Sequence, residues 1–429
     1  MRSWDAAVRG RTAPVPVDAG CAYLAQAPAP VAPAPRRVSP DDPSAAPAPP
    51  RPLAAVRADI DALDAALLDL VARRMALVAE VAAAKRAAGL RVRDAARERV
   101  LLDDRARRAA ALGLPAAEVE SVFRVLMRAS RDRQAALGVE APPGDRPRTV
   151  AVVGGRGGIG RVMAALFADL GHRVLVADLD TDLRPADAAA AADVTVVSVP
   201  IDVTEAVIAE LGPRVRPDAL LMDVTSVKAA PVAAMLAATE RSGAGVVGAH
   251  PMFGPGVHTL QGQRVVLCRG RGDAWCDWAA AAFAARGLAV TEADPARHDR
   301  AMAVVQVLTH FQTQVYGAAL ARLEGALGLS LGETLGFTSP AYLLELWVAA
   351  RHFAQSPALY GPIEMRNPHA AAVTGAFRGA AAEVAAVIAA GDQDGFARLF
   401  DEVRAFFGAF ADEAAEQSSY LIDRVVERS

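Results

Sequence analysis

Gly155-Arg156-Gly157-Gly158-Ile159-Gly160 is a G-x-G-x-x-G turn set between the apolar run Thr149–Val153 and a helical pattern. In that setting the glycines admit a pyrophosphate close to the backbone and the helix N-terminus attracts it, so the chemistry is dinucleotide binding. Asp178 ends the next apolar run, Val174-Leu175-Val176-Ala177. A carboxylate there accepts from the adenosine ribose hydroxyls and repels a 2′-phosphate, which favours NAD, although Arg156 in the loop leaves room for NADP. Later runs end in Ser198-Val199-Pro200, Thr225-Ser226 and Gly248-Ala249-His250-Pro251. Ligands of such sheets bind beyond the carboxyl ends of the strands. His250 therefore stands where a nicotinamide would meet its substrate, as a candidate general base.

A second set of polar residues lies upstream. Arg74 and Lys85 are eleven residues apart, three helical turns, and share one face. Arg57 is rotated by about 100° from Arg74 and is expected to face a partner chain. In a third helix Val119, Val122, Phe123 and Leu126 form an apolar stripe that continues into Ser130 and Gln134, and two polar groups on that side need partners. Asp94, Arg97 and Glu98 form a charged cluster. The bland reading of all these is solvated faces and surface ion pairs, which the buried Ser130 and Gln134 weaken.

The elements that position these groups follow from periodicity. Apolar residues at Leu53, Val56, Ile60, Leu63, Leu67, Leu70, Leu77, Val78 and Val81 predict one helix from Leu53 to Lys85, roughly 50 Å long and ended by Gly89. A second runs from Asp94 to Leu112, closed by Gly113, and a third from Pro115, in its first turn, to Leu137. So long a helix cannot bury its stripe against two short ones, which predicts an intertwined dimer. Residues 1–50, rich in Pro and Ala, read as a disordered extension, and 51–140 as the helical module. Residues 141–148 read as a linker. Strand-like runs ending at Val153, Ala177, Val199, Val224 and Val247, with helices between, predict a parallel doubly wound α/β domain over 149–298. Residues 299–429 are expected to be all-α and a second dimer surface.

Composition excludes several classes. A net charge of −3 points to neither nucleic acid nor an anionic membrane surface. Cys21, Cys268 and Cys276 have no metal-ligand spacing and fit a reducing cytosol, so no metal site is expected. Every apolar stretch is broken by Gly, Pro or charge, from which a soluble, cytoplasmic protein with no membrane span is expected.

The upstream module resembles the AroQ-type chorismate mutases over about 85 residues, through Arg57, Arg74, Lys85, Asp94, Arg97, Glu98, Ser130 and Gln134 in register. The resemblance implies rearrangement of chorismate to prephenate. Arg74, Arg97 and Arg57 from the partner chain would hold the two carboxylates, and Lys85 and Gln134 would donate to the ether oxygen. Glu98 would take the substrate hydroxyl, with Asp94 and Ser130 supporting binding. Some relatives have Glu where this chain has Gln134. A glutamine donates at any pH, so this residue should bring no acid dependence.

The downstream stretches resemble prephenate dehydrogenase: Ser198-Val199-Pro200-Ile201, Asp223 through Lys228, His250 through Pro255, His298-Asp299, and Ser339-Pro340 through Arg351 to Tyr360. Together the two resemblances place the chain from about residue 51 with the bifunctional T-proteins. They imply NAD as cofactor, a homodimer, and tyrosine as feedback inhibitor. His250 would accept the ring hydroxyl proton, Ser226 would position it, and Arg351 would grip a carboxylate. His310 would touch the substrate side chain or back up the site, and His298 is expected to be structural. Leu343 replaces an arginine common in the family, so no role transfers to it. The alternatives are a dehydrogenase preferring arogenate, which has an amino group where prephenate has a keto group, and a silent NAD- and aromatic-binding regulator. A mutase that makes prephenate argues against the first, and two intact polar sets against the second.

Overall fold

The computed structural model describes residues 51–88, 92, 94–137 and 146–426. The expected extension 1–50, with Cys21, the helix-ending Gly89 and the linker residues 141–145 lie outside them. The described residues divide into two units between Ala66 and Leu67. Helix α1 spans Leu53–Ala87, 35 residues with no Gly or Pro to interrupt it. In the first unit Arg51 pairs with Asp59, and Arg57 is exposed.

In the second unit α2 (Ala95–Ala111) starts on Asp94, whose carboxylate accepts from the Arg97 amide at 2.9 Å. Gly113, at φ +71°, turns the chain into α3 (Ala116–Leu137). Pro115 lies just before α3, not in its first turn; its carbonyl accepts from Val119. The buried row of α3 is Met127, Ser130 and Gln134, while Val122, expected in the stripe, is 58 % exposed. Of the predicted α1 stripe, Val78 is buried, but Leu67, Leu70 and Leu77 are each more than half exposed in the single chain.

Seven strands form one sheet in the order β2-β1-β3-β4-β5-β6-β7. They are β1 (Thr149–Val153), β2 (Arg173–Ala177), β3 (Val194–Val197), β4 (Leu220–Asp223), β5 (Gly245–Pro251), β6 (Arg264–Arg271) and β7 (Ala289–Ala293). Strands β1 to β5 are mutually parallel. The expectation of a wholly parallel sheet fails at β6, which pairs antiparallel with β5 and parallel with β7. The reason is local: residues 252–263 contain no helix, and a parallel return needs a crossover. Strands β3 and β4 end one or two residues before Val199 and Val224, and β5 continues past Val247 to carry His250 within it.

Helices α4 (Gly158–Asp169), α5 (Pro185–Ala191), α6 (Ile201–Leu211), α7 (Ala229–Ala238) and α8 (Asp273–Ala285) cover the sheet. Alternate residues of β1 feed separate cores: Val150 and Val152 join Phe167, Trp278 and Phe283, whereas Val153 joins Ile208, Leu211 and Met235. Beyond the sheet come α9 (Pro295–Met302), a π-helical stretch (Ala303–Leu308) and α10 (Thr309–Leu327). The chain continues through α11 (Leu331–Leu335), α12 (Pro340–Phe353), α13 (Pro357–Met365), α14 (Ala370–Ala390), α15 (Gln393–Phe407) and α16 (Phe410–Val426). By length and composition alone α14 would be long and apolar enough to cross a membrane, an 18-residue window within it having a mean hydropathy of 1.4. Its alanines raise that mean even though Gly375, Arg378, Gly379 and Glu383 interrupt it.

Candidate active sites

The carboxyl ends of β2, β1, β3, β4 and β5 follow one another across the sheet. They present in turn Asp178, the glycine loop, Ser198 and Pro200, Ser226, and His250. At about 4.8 Å per strand that row is roughly 19 Å wide, room for an extended dinucleotide. Gly154, one residue before the expected motif, has φ +77°, and a Cβ there would stand 2.2 Å from the Ser198 carbonyl oxygen. A Cβ on Gly160 would meet the Gly154 carbonyl oxygen at 2.1 Å. Neither position has room for a side chain beside the neighbouring backbone, so the loop turns tightly as bare backbone, which a pyrophosphate can approach closely. Gly155 and Gly157 lie within that turn, and Gly158 opens α4, followed by Ile159. Pro255, just after β5, packs against Gly158 and joins the His250 end to the glycine loop.

Asp178 accepts from the Arg156 amide and the Leu179 amide, both at 2.8 Å. The Arg156 guanidinium is paired with Asp180. The side chain that left room for a 2′-phosphate thus already has a carboxylate partner.

His250 is buried, with 2 % of its surface exposed. Its Nδ1 lies 2.8 Å from His298 Nε2, and His298 Nδ1 lies 2.8 Å from Asp299 Oδ1. Asp299 also accepts from the Lys228 amide at 2.8 Å and the Ala229 amide at 2.9 Å. Burial pushes its carboxyl up, but the hydrogen bonds from His298 and these two amides outweigh it and hold it below the usual range. An ionised Asp299 can only accept, so His298 carries its proton on Nδ1 and accepts at Nε2. His250 then carries its proton on Nδ1, which leaves Nε2 as the acceptor, at present met by the Gln306 amide at 3.3 Å. Burial, reinforced by the nearby His298 and Lys228, holds His250 well below its ordinary value, so it is neutral and ready to accept.

His298, expected to be structural, hydrogen-bonds His250 directly. Gln306, in the π-helical stretch, brings Nε2 to 3.3 Å from His250 Nε2 and was not anticipated. Its only sequence signal is a polar residue in Ala303–Leu308, and π turns commonly re-aim side chains at functional sites. Ser226 makes no hydrogen bond to His250. Its loop is instead fixed from both sides: fully buried Lys228 pairs with fully buried Asp223, and Thr225 donates to the same carboxylate. Removing one member of such a pair leaves an uncompensated buried charge, costing about 3–5 kcal/mol.

Arg351 is exposed on α12 and makes no contact with His250. The residue after it, His352, is the one on the buried face, with Leu343 and Leu346. His310 lies four residues beyond Gln306. Burial, with His352 nearby, lowers it to about 4.

In the helical module Arg74 donates to the Leu126 carbonyl at 3.0 Å and to the Ser130 hydroxyl at 2.5 Å. Burial lowers its pKa. Gln134 Nε2 reaches the Ser130 carbonyl at 3.3 Å, and its Oε1 is buried without a partner. Ser130 and Gln134 are buried where the stripe placed them, Arg74 meets the Ser130 hydroxyl, and Gln134 reaches only the backbone of its own helix. Glu98 pairs with Arg131 at 2.6 Å, a partner not anticipated for it. Lys85 donates to the Val92 carbonyl at 2.6 Å, and Arg97 and Asp94 are exposed.

A glycine cradle, an acid at the second strand and a relayed histidine at the fifth define a dinucleotide-dependent oxidoreductase, here joined to a helical module with a polar row of its own. Family models for chorismate mutase type II and for the nucleotide-binding and dimerization domains of prephenate dehydrogenase match residues 56–135, 163–290 and 294–402. The chain is 36 % identical over 371 residues to the T-protein of Enterobacter agglomerans, covering 86 % of this chain and 97 % of that one. It is 32 % identical over 369 residues to the T-protein of Haemophilus influenzae, covering 86 % and 96 %. Among solved structures, prephenate dehydrogenase from A. aeolicus, in complex with hydroxyphenyl propionate and NAD+, matches at 16 % identity with a TM-score of 0.50. That match covers 61 % of this chain and 98 % of the other, a likeness of fold. The chain belongs to the T-protein family. It is an enzyme of tyrosine biosynthesis with two activities, chorismate mutase and NAD-dependent prephenate dehydrogenase. The helix α14 falls inside the stretch matched by the dimerization domain.

Proposed function

We propose that the two activities are carried by two separate sites, one in 51–140 and one at the carboxyl edge of the sheet, and that the protein works as a cytoplasmic homodimer inhibited by tyrosine. The mutase reaction needs no nucleophile, only a held conformer and donors for the charge that grows on the ether oxygen. Arg74, Arg97 and Arg57 of the partner subunit would clamp the carboxylates of chorismate. Lys85 and Gln134 would donate to the ether oxygen, Glu98 would accept from the hydroxyl, and Asp94 and Ser130 would support binding. The leucines of α1 left exposed in one chain support a second copy covering them. Tyrosine inhibition rests on the family resemblance alone.

In the dehydrogenase site NAD+ supplies the hydride acceptor when bound, with Gly154 to Gly160, Ser198 and Pro200 along its path and Asp178 at the ribose. His250 Nε2 takes the proton of the C4 hydroxyl as hydride leaves C4. The C1 carboxylate departs as CO2, its bonding pair completes the aromatic ring, and the proton returns to the phenol oxygen. The products are 4-hydroxyphenylpyruvate, CO2 and NADH. Through Nδ1, His298 and Asp299 stabilise the transient imidazolium. Ser226 and Gln306 position the hydroxyl, and Arg351 and His310 address the other end of the substrate.

The observation that supports this reading is the His250–His298–Asp299 chain, which leaves Nε2 as the acceptor of a histidine near the carboxyl end of β5. The test is NADH absorbance started with chorismate and NAD+ alone. Production of NADH without added prephenate is expected; none, with NADH appearing when prephenate is supplied, would confine the chain to the second reaction.

A further inference from the structure

Asn367 lies in the corner between α13 and α14 and is buried, with 3 % of its surface exposed. Local bonds already hold the backbone of this corner. The Asn367 amide donates to the Glu364 carbonyl at 3.3 Å, and the Ala370 amide donates to the Asn367 carbonyl at 3.1 Å. The side chain adds one more bond of this local kind, its Oδ1 accepting from the His369 amide, two residues on, at 2.9 Å. Its other end reaches outside the corner. Nδ2 donates at 2.9 Å to the backbone carbonyl of Asp299, 68 residues earlier in the chain. Only one orientation of the carboxamide serves both bonds, since the flipped group would set oxygen against oxygen.

Asp299 is thereby held at both its side chain and its backbone. Its carboxylate accepts from His298 on the same helix and from the Lys228 and Ala229 amides at the start of α7. Its carbonyl accepts from the Ala303 amide at the end of α9 and, with its second lone pair, from Asn367. Helix α9 has only eight residues, so its own hydrogen bonds do little to fix its rotation and depth. The α7 amides anchor it to the sheet, and Asn367 anchors it to the helical domain. Any shift of Asp299 passes through His298 to the His250 ring, and a misplacement of about 1 Å outside the reacting groups can cost on the order of 10²-fold in rate.

We propose that Asn367 is a positioning residue of the dehydrogenase, its carboxamide seating Asp299 from the side of the helical domain and so orienting His298 and the His250 ring. This role rests on the reading of His250, His298 and Asp299 as the catalytic chain. An asparagine that only shaped the corner would matter through its bond to His369; one that serves catalysis matters through its bond to Asp299.

The test separates those two bonds in the full-length enzyme. Asn367→Ser keeps a hydroxyl that can accept from the His369 amide and is too short to reach the Asp299 carbonyl, whereas Asn367→Ala removes both bonds. Initial rates of NADH formation give kcat and KM for prephenate, and calorimetry gives the affinity for NAD+, which reports an intact sheet domain. Both variants are expected to lower kcat by about tenfold or more, the size of one buried hydrogen bond, with NAD+ affinity unchanged. In an Asp299→Asn background, Asn367→Ser should lower kcat little further, because residues acting through one network do not add. A serine variant with wild-type kcat, a loss confined to KM, or losses that multiply in the double variant overturns the proposal. Failure of the underlying reading looks different: Asp299→Asn alone would then leave turnover intact.

Discussion

The two catalytic regions of this chain solve positioning in opposite ways. At the sheet edge, buried His250 is held by buried His298 and Asp299, and the Lys228 and Ala229 amides hold the carboxylate that orients them. In the helical module, an exposed long helix and two shorter ones present cations and amides, with no group whose titration the chemistry needs. The first should be sensitive to single hydrogen bonds and to protonation; the second should be sensitive to charge placement and to the partner chain.

The comparison breaks most readily at His250. His250→Asn should lower dehydrogenase turnover by about 10⁴-fold while mutase turnover persists, read by NADH formation from prephenate and by loss of chorismate absorbance. Near-normal NADH formation would remove His250 from the mechanism. Next in size, Asp299→Asn should cost roughly several hundred-fold, because an amide there can no longer accept from both His298 and the two backbone amides. If NAD+ binding fell with it and turnover at saturation did not, the relay would be structural only.

Titration separates the two sites further. Gln134→Glu should lower mutase turnover by about 10²-fold at pH 8 and recover as pH falls, since the acid donates only when protonated. The wild-type mutase should stay flat with substrate saturating. The dehydrogenase should behave in the reverse sense. His250 must be neutral to accept, and its pKa is depressed, so kcat/KM should hold as pH falls through the ordinary histidine range and drop only below it. A midpoint near 6.5 for that drop would contradict the buried, neutral base.

The smallest effect concerns cofactor choice. Asp178→Ser should narrow the NAD-to-NADP preference by about tenfold, measured as the ratio of kcat/KM. A larger change on breaking the Arg156–Asp180 pair instead would make Arg156 the discriminating residue.

Much of this was legible in the chain. The Gly155–Gly160 turn, Asp178 and the polar members of the α3 stripe announced themselves by spacing, because motif spacing and helix and strand periods tie sequence to face. Gly154, one residue earlier, showed its role only in its backbone angle. The antiparallel β6 was not legible, since it depends on a missing crossover and not on any residue. The α1 leucines read as a core and lie open in one chain, because periodicity shows which face is apolar and not what covers it.

The sequence by itself determined the elements, the glycine loop and the types of groups at the strand ends, since these depend on local spacing and backbone freedom. Only the tertiary structure decided that His298 and Asp299, 48 and 49 residues beyond His250, fix its tautomer, and that Gln306 meets its free nitrogen. It alone set Glu98 against Arg131 and brought Asn367 to the Asp299 carbonyl. Hydrogen-bond direction and desolvation arise from neighbours distant in sequence, and no local pattern encodes them.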